Sequence, residues 1–127
     1  MSVTSQQTVL VVDDEPLVRA LIVDVVEELG HVALEASDGP EALAVLRSAG
    51  QVDLLITDVG LPNGMNGRQV AEAARARLTS LPVLCVTGYA DTAVMHHENL
   101  EPGMAILTKP FTMTAMAECI HSLINAS

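Results

Sequence analysis

The sequence predicts an α/β fold in which a parallel sheet carries helices on both faces. Three observations carry that prediction. Short β-branched apolar runs alternate five times with stretches of helical period. The segments between them are too short for anything but βα units, which call for parallel strands. The 127 residues suit one compact domain, which at this size buries roughly two thirds of its unfolded surface and needs no metal or disulfide staple. No repeat, low-complexity stretch or linker interrupts the pattern, so the expectation is a single domain over 1–127 with its core at about 8–125.

Taken in order, Thr8-Val9-Leu10-Val11-Val12 is an apolar run that stops at Asp13-Asp14, as a strand buried on both faces would. Pro16 suits the first turn of a helix, and Val18, Leu21, Ile22, Val25 and Leu29 continue it along one face to Gly30. Residues 31–36 read as a second strand. Asp38-Gly39-Pro40 opens a second helix with Ala42, Leu43 and Leu46, ended by Gly50. A third strand spans 52–57 and ends at Asp58; the Gly/Asn/Pro-rich 60–67 is a loop, with Asn63-Gly64 and Asn66-Gly67 read as turn chemistry. An Ala-rich helix covers 68–78, a strand 83–87 broken by Gly88, a weak helix at best 90–99, and a fifth strand 104–108. The last helix places Met113, Met116, Ala117, Ile120, Leu123 and Ile124 on one face, a stripe that reads as core packing.

Composition excludes several classes of function. Half the residues are hydrophobic, which excludes disorder, and the only aromatics are Tyr89 and Phe111. A formal charge of −10 argues against nucleic acid and against anionic membranes as partners. Cys85 and Cys119 lie in apolar stretches without CxxC spacing and read as buried free thiols. No run approaches the ~20 apolar residues of a membrane span. The first seven residues lack the charged and apolar regions of a signal peptide, so a reduced, cytoplasmic location is expected.

In an open parallel sheet, ligands bind at the carboxyl ends of the strands. Here the first strand ends in Asp13-Asp14, the third in Asp58, the fourth in Thr87 and the fifth in Lys109, the only lysine of the chain. Two carboxylates about 5 Å apart repel by roughly 3 kcal/mol at an effective dielectric near 20. Three of them must therefore carry a cation, share protons or destabilise the fold. A hard divalent ion resolves the conflict, and Mg2+ is the natural occupant because it keeps waters and leaves room for a phosphoryl oxygen. The set then suits phosphoryl transfer, with Asp58 as nucleophile forming an aspartyl phosphate, Lys109 neutralising a phosphoryl oxygen and Thr87 donating a hydrogen bond to it.

Leu10-Val11-Val12-Asp13-Asp14-Glu15-Pro16, Leu55-Ile56-Thr57-Asp58, Val86-Thr87-Gly88 and Leu107-Thr108-Lys109-Pro110-Phe111 together resemble the receiver domains of two-component response regulators. The resemblance spans about residues 8–125. It implies a flavodoxin-like, five-stranded parallel sheet of order 2-1-3-4-5, and a phosphoacceptor switch of a phosphorelay rather than a turnover enzyme. Such a domain catalyses only its own phosphorylation and dephosphorylation. Asp14 would ligate Mg2+ directly, Asp13 mainly through water, and Asp58 and the Gly60 backbone carbonyl would complete the protein ligands. Thr87 would be the switch hydroxyl, Lys109 the phosphate partner, and the Lys109-Pro110 bond cis. The partners implied are a sensor histidine kinase or histidine phosphotransfer protein, and a downstream protein met through the fourth helix (90–99), the fifth strand and the last helix.

One position departs from the family. Ile106 stands where the fifth strand usually carries Tyr or Phe, while Thr87-Gly88-Tyr89 is similar to a receiver subgroup without that aromatic. A relay through ordering of the segment 88–103 is then the preferred expectation. Adjacent His96-His97 with Glu98 point in different directions and read as solvated surface; His31 and His121 have no partners in sequence. Asp38, Asp53 and Asp91 suit caps or strand starts. A haloacid-dehalogenase-like phosphatase would carry a second Asp two residues after its nucleophile, and Asp58-Val59-Gly60 and Asp13-Asp14-Glu15 both fail that pattern. A degenerate receiver acting as a constitutive binding module is the third reading; the intact Asp/Thr/Lys set opposes it and Ile106 keeps it open. Since nothing follows Ser127, output is expected through protein contact or phosphate buffering.

Overall fold

The computed structural model describes residues 6–88 and 102–125. The elements run β1 (Thr8–Val12), α1 (Pro16–Glu28), β2 (Val32–Ala36), α2 (Gly39–Ala49), β3 (Leu54–Asp58), α3 (Gly67–Arg77), β4 (Val83–Thr87), β5 (Met104–Thr108) and α4 (Met113–Ile124). The five strands form one parallel sheet of order β2-β1-β3-β4-β5, the order the resemblance implies. The expected weak helix at 90–99, Tyr89, Asp91, His96, His97 and Glu98 lie outside the described residues, as does most of the proposed 88–103 relay.

Strand residues alternate between two cores because successive side chains point to opposite faces. Val9 and Val11, Leu54 and Ile56, and Leu84 and Val86 pack with Ile22, Val25 and Val26 of α1 and Met116 and Ile120 of α4. Leu10, Val12, Leu55, Val83 and Cys85 pack with Ala42 and Leu46 of α2 and Val70, Ala71 and Ala74 of α3. The same parity places Asp13, Asp58 and Lys109 at the ends of rows on the α1/α4 face, whereas Thr87 ends a row on the α2/α3 face.

Several boundaries and faces differ from the sequence expectations. In α1, Ile22 and Val25 are buried and Val18 and Leu29 pack against the same core as expected, whereas Leu21 is 47% exposed and Val26 is buried beside them. Met113 is 40% exposed at the first turn of α4, so only Met116 and Ile120 of the expected stripe are buried outright. Cys85 is buried, but Cys119 is only partly so. Strand β3 starts at Leu54; Asp53 instead accepts the Thr8 N–H through Oδ2 at 2.8 Å. His31 precedes β2, nearly buried, and its Nδ1 accepts the Gln7 N–H at 3.0 Å; burial is the main cause holding its pKa below the usual value. Asn66, read as turn chemistry, caps α3 through a reciprocal box with Gln69. Asp38 caps α2 as expected, and Lys109-Pro110 is cis.

Candidate functional site: an acidic pocket at the carboxyl edge of the sheet

β1 and β3 are adjacent and parallel, with Val12 opposite Thr57, so the acids that end them lie side by side. One oxygen from each of Asp13, Asp14 and Asp58 falls within 4.8 Å of the others. Asp13 is fully buried, Asp58 nearly so, and Asp14 is exposed. Lys109 reaches the cluster from the end of β5. Its Nζ donates to Asp58 Oδ2 at 3.2 Å and lies 3.8 Å from Asp13 Oδ2 and 3.5 Å from Glu15 Oε1.

The two buried acids are fixed by backbone. Asp13 Oδ1 accepts the Glu15 N–H at 2.8 Å, and Asp58 Oδ1 accepts the Gly60 N–H at 3.2 Å. Asp13 Oδ2 is buried without a hydrogen bond among the described residues. Such an atom is costly unless a ligand meets it. Burial is the main cause pushing the Asp13 carboxyl up to about 6; the Glu15 N–H opposes it, Asp58 and Asp14 add repulsion, and Lys109 relieves some of it. For Lys109, burial acts downward, but Asp13, the charge and hydrogen bond of Asp58, and Glu15 outweigh it and raise its pKa. The amine is therefore held as ammonium.

The end of β3 is closed by α3. The Gly67 N–H donates to the Val59 carbonyl at 2.8 Å, and a Cβ on Gly67 would collide with the Asp58 carbonyl oxygen. Only glycine lets the first turn of α3 lie against the Asp58 backbone. Behind it, Asn63 Nδ2 donates to Asp38 Oδ2 at 2.6 Å and ties the 60–66 loop to the start of α2.

The structure thus brings together four of the expected side chains, Asp13, Asp14, Asp58 and Lys109. Thr87 sits at the same edge of the sheet, its hydroxyl buried and without a hydrogen bond among the described residues. Ile106 is half-buried in β5 opposite Cys85, at the position where the family resemblance implies an aromatic. Two participants went unnoticed in the sequence. Glu15 adds a third carboxylate to Lys109, a role its place beside Asp14 could have suggested. Arg19, whose Nη1 donates to the Asp13 carbonyl at 2.8 Å, gave no signal because its contacts need α1 and β2 in place.

The carboxylate oxygens, the orphaned Asp13 Oδ2 and the hard character of the donors all fit a divalent oxygen-loving cation such as Mg2+.

The model of the response regulator receiver domain matches residues 9–121. Chemotaxis protein CheY of Pseudomonas aeruginosa is 36% identical over 120 residues, covering 92% of this chain and 95% of that protein. Sensor histidine kinase RcsC of Escherichia coli is 37% identical over 113 residues, covering 88% of this chain; the chain spans only 12% of that kinase's length. Among solved structures, a response regulator receiver protein from Sinorhizobium medicae superposes with a TM-score of 0.85 at 28% identity, covering 96% of this chain and 97% of the other. The receiver domain of the hybrid histidine kinase CckA does so with a TM-score of 0.77 at 32% identity, covering 93% and 99%.

Proposed function

The chain belongs to the response regulator receiver family of two-component signalling, and on that premise we propose that it is a phosphoacceptor switch whose acceptor is Asp58. The receiver unit is taken as about residues 8–125. The donor is the phosphohistidine of a sensor histidine kinase or of a histidine phosphotransfer protein. Receiver domains generally bind Mg2+ at an acidic pocket, and here Asp13, Asp14, Asp58 and the Gly60 carbonyl would hold it. Bound there, the ion supplies charge neutralisation for the phosphoryl oxygens and for the crowded acids.

The chain's own residues do the rest. An Asp58 carboxylate oxygen attacks phosphorus while the bond to the donor imidazole nitrogen breaks, so no external nucleophile is needed. Lys109, held as ammonium, leaves Asp58 for a phosphoryl oxygen, and the buried Thr87 hydroxyl offers a second donor. The domain catalyses only its own phosphorylation and dephosphorylation. Output passes to a downstream protein through the face of β5 and α4 with the preceding segment 90–99. The proposed place of operation is the cytoplasm, where its kinase or phosphotransfer donor would meet it; among the described residues no helix is long and apolar enough to cross a membrane.

The observation that carries the reading is the gathering of Asp13, Asp14 and Asp58 within 4.8 Å, with Lys109 3.2 Å from Asp58. Incubation with acetyl phosphate and Mg2+ followed by intact-mass analysis tests it. The wild-type chain is expected to gain one phosphoryl group and Asp58→Asn none; an equal gain by both overturns the assignment of Asp58.

A further inference from the structure

We propose that Arg19 is a positioning residue that sets the acidic turn, fixing where Asp13 and Asp14 present their carboxylates to the cation; the inference rests on the function proposed above. The turn between β1 and α1 is only Asp13-Asp14-Glu15, and Glu15, at the helix N-cap, makes no side-chain capping bond. The usual device for fixing a helix start is therefore absent. Arg19, one turn into α1, supplies another. Its Nη1 donates to the Asp13 carbonyl at 2.8 Å while its Nε donates to Glu35 Oε1 of β2 at 3.0 Å.

Asp13 is consequently held at three points. Its N–H donates to the Ala36 carbonyl of β2 at 3.1 Å, its carbonyl accepts from Arg19, and its Oδ1 accepts from Glu15 N–H. Only Oδ2 is left, and it faces the pocket beside Lys109. The Asp14 carboxylate is exposed and makes no hydrogen bond among the described residues, so its place depends on the turn backbone that Arg19 holds. A planar guanidinium can span the carbonyl and the Glu35 carboxylate at once, whereas an ammonium is a point donor. As a mere surface ion pair, Arg19–Glu35 would contribute little to stability.

Calorimetric titration of the full chain with Mg2+ tests the clamp, using wild type, Arg19→Ala, Arg19→Lys, Glu35→Ala and the double alanine variant. Arg19→Ala is expected to lower Mg2+ affinity by about tenfold, in the range seen when the partners of metal ligands are removed. Glu35→Ala lowers it less, Arg19→Lys restores it only in part, and the double variant is no weaker than Arg19→Ala alone, because both residues act through one device. In the metal-free chain, the Glu15 amide exchanges faster in Arg19→Ala. Folded Arg19→Ala with wild-type Mg2+ affinity overturns the clamp, as do additive losses in the double variant; if Arg19→Ala does not fold, wild-type affinity in Glu35→Ala does the same. A wild-type chain that takes up no Mg2+ overturns the proposed function instead, and unchanged Glu15 exchange in Arg19→Ala then also removes the clamp.

Discussion

At Asp13 a carboxyl group sits dry beside Asp58, and its pKa of about 6, set mainly by burial, makes it a stability term with a definite sign. The folded chain holds this proton more tightly than the unfolded chain, whose value is near 3.8. The contribution is therefore most favourable below pH 3.8 and is lost as pH rises through 6. Two pKa units correspond to roughly 3 kcal/mol. Metal-free protein is expected to lose stability over that window, and Asp13→Asn to flatten the slope and raise the midpoint at neutral pH, both read from thermal melts across pH. Asp58→Asn should likewise raise the metal-free midpoint by relieving repulsion; a lower midpoint than wild type would contradict the crowding of the acids. Lys109→Ala is expected to fold, to melt a few degrees lower without metal because Asp13 and Asp58 lose their cation, and to be impaired in phosphorylation.

Among the elements, α3 matters most to the acceptor because its first residue rests on the Asp58 carbonyl. Gly67→Ala forces that carbonyl or the helix to move and is expected to cost about 1–3 kcal/mol or more, as other overpacked sites do. Asn66→Ala, which removes only the capping box, should cost about 1 kcal/mol. Urea unfolding compares the two, and Gly67→Ala alone is expected to slow phosphorylation as well. The sequence made the existence and order of the described elements legible, since each apolar run and each helical period stands between clear breakers such as Gly30 and Gly50, both at positive φ. Finer detail was not legible. Leu21 and Met113 belong to the right periodicity but fall outside the contact with sheet and neighbouring helix, and only the assembled packing decides that. Asn66 followed by Gln69 was a readable capping signal that the neighbouring Gly67 disguised as a turn.

For the molecule as a whole, the sheet is the buried centre, with β1, β3 and β4 enclosed between two cores on its faces. Leu55→Ala and Ile56→Ala, on opposite faces, should each cost about 2–5 kcal/mol and still unfold in one transition. Saturating Mg2+ should raise the melting midpoint of the wild type, by about 2.7 kcal/mol of stabilisation at a hundredfold excess over Kd. The pocket was legible because strand parity and strand ends are sequence properties, and they brought Asp13, Asp58 and Lys109 to one face; Arg19 and Glu35 were not, because β2 must first lie beside β1. The solitary lysine has a practical corollary. Ordinary amine-directed reagents, whether used to attach a dye, a biotin or a sensor surface, can react only at the terminal amine or at Lys109, inside the pocket. Coupling through amines would therefore blunt the very centre that holds the acids, and with Cys85 buried and Cys119 of α4 packed against the core, attachment through an added tag is the sounder route. Used deliberately, the acylation rate of Lys109 becomes a gauge of how firmly its surrounding acids grip it.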